Sequence, residues 1–265
     1  MDNRPIGVFD SGVGGLTVVA ALRKLMPRES ILYLGDTARV PYGAKSRETI
    51  LSYGRDIVRF LQARDVKAAV AACGTVSSNA YDTLAEEFDL PMVDVIRPGV
   101  KACLDAKPGR VGFIATEATV RSGLFVRLIR ERNPDAAVRV RACPLYVPLV
   151  EEGWTDNAFT RRVTELYLGD WKEQAVDMVV LGCTHYPLLT GVIEEVLGPV
   201  RFINMAEYTA RAAEALLRER DLLTGDDNPR SAFYVSGYAD KFTRMAERVL
   251  GTPYTAECVA LTRLE

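Results

Sequence analysis

Short apolar runs alternate along this chain with longer segments whose apolar residues recur every three or four positions, and that alternation admits few folds. The runs IGVFD (6–10), ILYLGD (31–36), AAVAAC (68–73), MVDVI (92–96), RVGFIA (110–115), AVRVRAC (137–143), DMVVLGC (177–183) and RFIN (201–204) predict strands. Most are continuously apolar, as strands covered on both faces are. Between them lie helical stripes: Leu16, Val19, Leu22 and Met26; Ile50, Tyr53, Ile57 and Phe60; Tyr81, Leu84, Ala85 and Phe88. A further helix is predicted to open at Pro187 and run through Val196 to Gly198. Strand alternating with helix predicts an α/β fold with parallel sheets and right-handed crossovers.

The pattern also reads as a duplication. Val8 answers Phe113, Cys73 answers Cys183, the ILYLGD run answers AVRVRAC, and MVDVI answers RFIN. Two similar four-strand units follow, within the range that 265 residues can fill. The first is expected to end near Arg97, before Pro98 and Gly99. A last stretch, with a helix over 207–218, the loop TGDDNPR and the strand AFYVSG (232–237), is expected to return to the first unit. The expected division is therefore 1–97 plus 208–265, and 98–207.

Composition removes several classes of function. Lys and Arg number 33 against 35 Asp and Glu, so no global positive field invites nucleic acid. No uncharged apolar run of about 18 residues predicts a membrane span. The opening MDNRPIGVFDSG has no apolar signal segment, so no targeting is predicted. Five cysteines, an odd number at low density, fit a reducing cytoplasm better than a disulfide framework. With one histidine and no paired Cys-x-x-Cys, no metal site is expected.

Two of the cysteines stand where this architecture puts its chemistry. Cys73 and Cys183 each close an apolar run and open a polar loop before a helix, and ligands bind beyond the carboxyl ends of parallel strands. A helix N-terminus is expected to lower such a thiol from its ordinary pKa of about 8.5. Cys103, Cys143 and Cys258 read as structural. Asp10 ends the first strand; it could hold a charge beside a thiol, or cap the following helix. His185, two residues after Cys183, points the same way in an extended chain and could assist it, or be an ordinary loop histidine. The turn DSGVGG lacks the endings of the nucleotide-binding loops, yet can offer N–H groups to an anion. PYG (41–43) presents Tyr42 and two amides. Thr116 and Thr119 follow the second unit's first strand, where Ser11 stands in the first. Glu151 and Glu152 precede Gly153. Two thiols facing each other across a cleft suit one chemistry above others, in which a proton leaves one face of a carbon and another arrives at the opposite face.

The motifs GVFDSGVGGLTV, GDTARVPYG, ACGTVSSNA, LVEEG and LGCTHYPLL resemble those of the glutamate racemases, a branch of the aspartate/glutamate racemase superfamily, and the likeness runs from about residue 5 to the end. The resemblance implies two α/β domains with the site between them, no pyridoxal phosphate or other cofactor, and no metal. It implies Cys73 and Cys183 as the catalytic acid–bases, Asp10 and His185 assisting them, and Glu151 supporting His185. Substrate contacts carried over are Asp10, Ser11, Tyr42, Gly43, Thr75, Thr184 and His185, with the Gly74 backbone, Thr116 and Thr119 beside them. The implied activity is the interconversion of L- and D-glutamate, supplying D-glutamate for peptidoglycan in the cytoplasm, with no nucleic-acid or membrane partner. A homodimer stands only as the commonest assembly. Two departures matter: Gly74 replaces the family's usual Asn, removing a side-chain amide, and Asn204-Met205 replaces its usual Asp-Ser. Other readings are an aspartate racemase or related acid isomerase, an amino-acid-binding protein whose catalysis Gly74 weakens, and a thiol hydrolase using Cys183 and His185. The last is disfavoured because residues two apart on a strand end do not easily bond.

Overall fold

All eight runs read as strands form strands, each trimmed by at most two residues at an end. They are β1 (Ile6–Asp10), β2 (Ile31–Gly35), β3 (Ala68–Ala71), β4 (Met92–Asp94), β5 (Arg110–Ala115), β6 (Ala137–Ala142), β7 (Met178–Leu181) and β8 (Arg201–Asn204). The structure, a computed structural model, describes residues 1–261; the last four positions of the 208–265 stretch lie outside the described residues. β9 (Ala232–Val235), expected as AFYVSG, joins the first sheet, as does β10 (Glu257–Cys258), which no apolar run announces.

The two sheets run in the orders β10-β9-β2-β1-β3-β4 and β6-β5-β7-β8, with every pairing parallel. Leaving β9 and β10 aside, the orders 2-1-3-4 and 6-5-7-8 are the same path traced twice. In each unit the chain leaves the central strand for one neighbour and then crosses to the other. This opens a crevice at the carboxyl ends of β1 and β3, and another at those of β5 and β7.

Helices connect the strands: α1 (Leu16–Leu25), α2 (Arg47–Gln62), α3 (Gly74–Asn79), α4 (Tyr81–Glu87), α5 (Ile96–Asp105), α6 (Glu117–Ser122), α7 (Leu124–Arg132), α8 (Tyr146–Glu151), α9 (Ala158–Glu173), α10 (Thr190–Leu197), α11 (Met205–Glu219) and α12 (Ala239–Leu250). The boundary expected near Arg97 falls in the first turn of α5. The helix expected from Pro187 begins as a 3₁₀ turn, Tyr186–Leu189, before α10. Side-chain caps start several helices: Ser46 accepts from the Thr49 N–H, Asn157 from Thr160 and Asn204 from Ala206. Asn204 thus serves as an α11 cap.

β1 and β2 are buried along their whole length. Ile6 and Val8 face a core that continues into the second sheet through Phe113 and Val179, whereas Phe9 faces a separate core with Leu34 and Ile57. β6 departs from the expectation of two covered faces: it edges its sheet, and its residues are exposed or half-buried, none fully buried.

One ion pair is fully enclosed. Lys67 Nζ lies 2.6 Å from Glu29 Oε2, their side chains being 0% and 3% exposed. Lys67 also donates to the Asp2 carbonyl, and Glu29 Oε1 accepts from the Thr224 N–H. The pair thereby pins the N-terminus and the loop after α11 to the base of the first sheet. Removing one partner leaves the other charge buried and uncompensated. Lys67→Met is expected to cost about 3–5 kcal/mol in urea denaturation, and Lys67→Met with Glu29→Leu to recover most of it. Equal stability of the single variant and the parent would contradict this role.

Candidate active site

The chemistry-bearing residues reach one place because each sits just past a strand. Asp10 is the last residue of β1, and Cys73 lies two residues beyond β3 at the N-cap of α3. Thr116 follows β5 and caps α6, and Cys183 lies two residues beyond β7. The four ends close on a cavity of about 90 Å³ whose walls include both thiols. The cavity also takes in Ser11, Tyr42, Gly43, Gly74, Thr75, Glu151, Thr184 and His185.

On the first-sheet side, the Cys73 thiol is buried and donates to Ser11 Oγ at 3.4 Å. Burial pushes this thiol up to about 12, and the Asp10 carboxylate nearby adds to the rise. The expected lowering by the helix is therefore reversed. α3 is only six residues long, and its dipole does not offset the loss of water. Asp10 Oδ2 accepts the N–H groups of Gly12 and Gly15, both at 3.1 Å. Asp10 thus holds the turn, in keeping with the capping reading, while still facing the cavity. Two donors that the turn could have offered an anion are spent on it.

On the second-sheet side, His185 corrects the extended-chain picture. Its backbone is helical (φ −78°, ψ −29°), and the chain curls so that Nδ1 comes to 3.7 Å from Cys183 Sγ. Residues two apart do meet here. Nε2 lies 3.4 Å from Glu151 Oε1, close enough for an ion pair but not aligned as a hydrogen bond. Burial opposes a charge on the imidazole, yet the Cys183 sulfur and the Glu151 carboxylate outweigh it and hold His185 at about 10. Burial likewise opposes the Glu151 carboxylate, and His185 prevails, leaving Glu151 below its ordinary value. A Cβ on Gly14 would collide with His185 Nδ1, so the glycine turn is shaped to seat an imidazole.

The remaining candidates divide. Tyr42 lines the cavity with its ring, but its hydroxyl is given to Asp36, which also accepts from Ser236. Tyr42 therefore has no hydroxyl proton left to donate to a substrate. Thr75 and Thr116 join their hydroxyls at 2.9 Å across the two units, and Thr116 bonds on to Thr119, also at 2.9 Å. Thr119 lies behind Thr116 and does not reach the cavity. Gly43 packs so closely on Thr116 that a Cβ would sit 2.9 Å from Thr116 Cβ. At Gly74 a Cβ would collide with the carbonyl oxygen of Gly182, the residue before Cys183. Backbone meets backbone beside the two thiols. Val40, Pro144 and Val147 also line the cavity, and sequence reasoning missed them. Pro144 follows the end of β6 by two residues, which was the available signal.

Among the described residues no group of three His, Cys, Asp or Glu side chains could hold a metal ion. The site offers two sulfurs on one enclosed cavity, a carboxylate near one and an imidazolium beside the other. That set can move protons.

The chain matches the Asp/Glu/Hydantoin racemase family over residues 16–213. It is 46% identical over 251 residues to a glutamate racemase from Geobacter metallireducens, covering 94% of this chain and 93% of the relative. The crystal structure of glutamate racemase from Francisella tularensis in complex with D-glutamate superimposes with a TM-score of 0.92 at 39% identity, covering 98% of this chain and 99% of that one. The glutamate racemase from Thermus thermophilus in complex with beta-chloro-D-alanine does so with a TM-score of 0.88 at 43% identity, over 98% and 99% of the two chains. With its strand ends, its two thiols and these likenesses in agreement, the chain belongs to the Asp/Glu/hydantoin racemase family.

Proposed function

We propose that this protein is a glutamate racemase that interconverts L- and D-glutamate with Cys73 and Cys183 as its two acid–bases. The observation that carries the reading is that both thiols, from different sheets, wall one cavity. One sulfur takes the α-proton while the other thiol returns a proton to the opposite face. The charges around them differ. Cys73, held near 12, starts as a thiol able to donate. The His185 imidazolium stands 3.7 Å from Cys183 and can compensate negative charge there. Each sulfur serves as base toward one enantiomer and as acid toward the other; after one turnover the protons are exchanged and the reverse reaction begins.

A positioned acid and base each contribute about 10²–10⁴-fold. The rest comes from a closed site in which donors face the substrate without water to screen them. Ser11, Thr75, Thr116 and Thr184 supply hydroxyls for the carboxylates and the amine, and the Gly74 N–H takes the part of the missing amide. Asp10 and Glu151 act through the groups they adjoin.

The division into units 1–97 plus 208–265 and 98–207 is kept in this reading, since β9 and β10 pair beside β2. No helix among the described residues is long and apolar enough to cross a membrane. Five unpaired cysteines suit a reducing cytoplasm. D-Glutamate made there would supply peptidoglycan synthesis, and a homodimer is the assembly we adopt. The Cys183–His185 contact would also serve a thiol hydrolase, but Cys73 would then have no role.

Protein without added cofactor, incubated in deuterium oxide, is expected to place deuterium on the α-carbon starting from either enantiomer of glutamate. Cys73→Ser and Cys183→Ser are each expected to lower kcat by at least about 10²-fold. Full exchange in both single variants would sink the two-thiol mechanism, and preference for aspartate over glutamate would reassign the substrate.

Glu151→Gln removes one of the two partners that hold the charge on His185. The alkaline limb of the pH–rate profile is expected to move to lower pH. The same group sets a stability trend. Because the folded value of His185 is raised, its contribution is complete below about 6.5, its unfolded value, and is lost as pH rises through about 10. Melting curves of Glu151→Gln should show less of this alkaline loss. An unmoved limb together with an unmoved melting profile would contradict the pairing.

A further inference from the structure

Beyond Glu151 lies a second cavity, of about 320 Å³, that the reaction above does not use. One wall is a face of α12. Lys241, Arg244 and Arg248 recur there at helical spacing, while Phe242, Met245 and Ala246 are buried and fasten the helix down. The opposing carboxylates are already engaged: Glu152 takes Lys241 at 3.0 Å, and Glu151 pairs with His185. Among the described residues Arg244 and Arg248 form no ion pair, and the three cations of the cavity outnumber its two carboxylates. Arg248 lies over Gly153, where a Cβ would stand 2.9 Å from its Nη2.

The two cavities share the side chains of Val40 and Glu151. At that point the backbone contributes Gly12, from which a Cβ would touch Val40 Cγ1 at 3.3 Å and Glu151 Oε1 at 3.4 Å. The Val40 and Glu151 side chains therefore stand between the two cavities, and side chains can rotate aside.

We propose that the second cavity is an anion vestibule: Arg244 and Arg248 gather the carboxylates of the substrate and deliver it past Val40 and Glu151 to the thiols. This rests on the reading that the substrate is an acidic amino acid, which carries one net negative charge at neutral pH. Guanidinium groups match carboxylates in geometry, and a cleft in which cations outnumber anions raises the local concentration of an anionic ligand. The attraction acts on approach rather than on the chemical step. It therefore moves KM and leaves kcat in place, and it is screened by salt.

The test uses the full chain with Arg244→Ala and Arg248→Ala together. Both side chains are exposed, so the fold is not at stake. The first readout is independent of racemisation: the rate at which Cys73 and Cys183 are alkylated by iodoacetate, divided by the rate with neutral iodoacetamide, followed thiol by thiol by mass spectrometry. The ratio is expected to fall on the order of tenfold at these two thiols, and further in Arg244→Glu with Arg248→Glu. It should hold at the exposed Cys258. The second readout is kinetic: KM for glutamate rises by a similar factor, kcat holds, and KM becomes less sensitive to salt. An unchanged alkylation ratio in both double variants overturns the vestibule, even in an active racemase. A ratio that falls in a protein that does not racemise glutamate upholds the vestibule and removes the glutamate reading instead.

Discussion

A titratable side chain taken out of water keeps a charge only when another charge stands beside it. That constraint organises the cavity between the two sheets. Cys73, with burial above it and an anion nearby, is held as a thiol. His185, equally enclosed, is held as a cation because a sulfur and a carboxylate flank it. The two sides of the cavity thus differ in charge, although the folds that carry them trace the same path. A symmetric scaffold has been given an asymmetric electrostatic filling.

The scaffold itself follows from the crossing of the chain in each sheet. A parallel sheet that sends its chain first to one side and then to the other must leave a gap at the carboxyl ends of the strands where it turns. Two such gaps face each other, and a continuous apolar core joins the sheets behind them. The thiols need no long loop to reach one another. Each sits two residues past a buried strand, with little freedom to wander. The hydrogen-bonded hydroxyls of Thr75 and Thr116 tie the same ends together from the front.

Much of this is legible in the amino-acid order, because the signals are local. Short apolar-rich runs, most of them continuous, mark the eight strands, and the position of Cys73 and Cys183 at run ends marks the site. The parts that escape depend on tertiary surroundings. Whether the Cys73 pKa falls or rises turns on burial against the pull of a short helix, and burial is invisible in a six-residue motif. The PYG turn reads as presenting Tyr42 to a ligand; only the fold brings up Asp36 to claim the hydroxyl proton. Thr119 repeats the pattern of Ser11 but sits behind Thr116. The Cys183–His185 contact depends on a helical backbone at one residue, where strand periodicity alone implies an extended one. β10, two exposed residues long, has no hydrophobic pattern to announce it.

The contact of Gly74 with the Gly182 carbonyl has a consequence for how this sequence can change. With only a hydrogen atom available, the two loops close to a separation that no other amino acid permits. Reinstating asparagine at that spot is thus not a free swap. The wider opening it requires would have to be accommodated in the Thr75–Thr116 tie and the seating of Gly182 on Phe113. Substitutions at these positions are contingent on one another, and the order in which they arise decides which of them a working enzyme can accept.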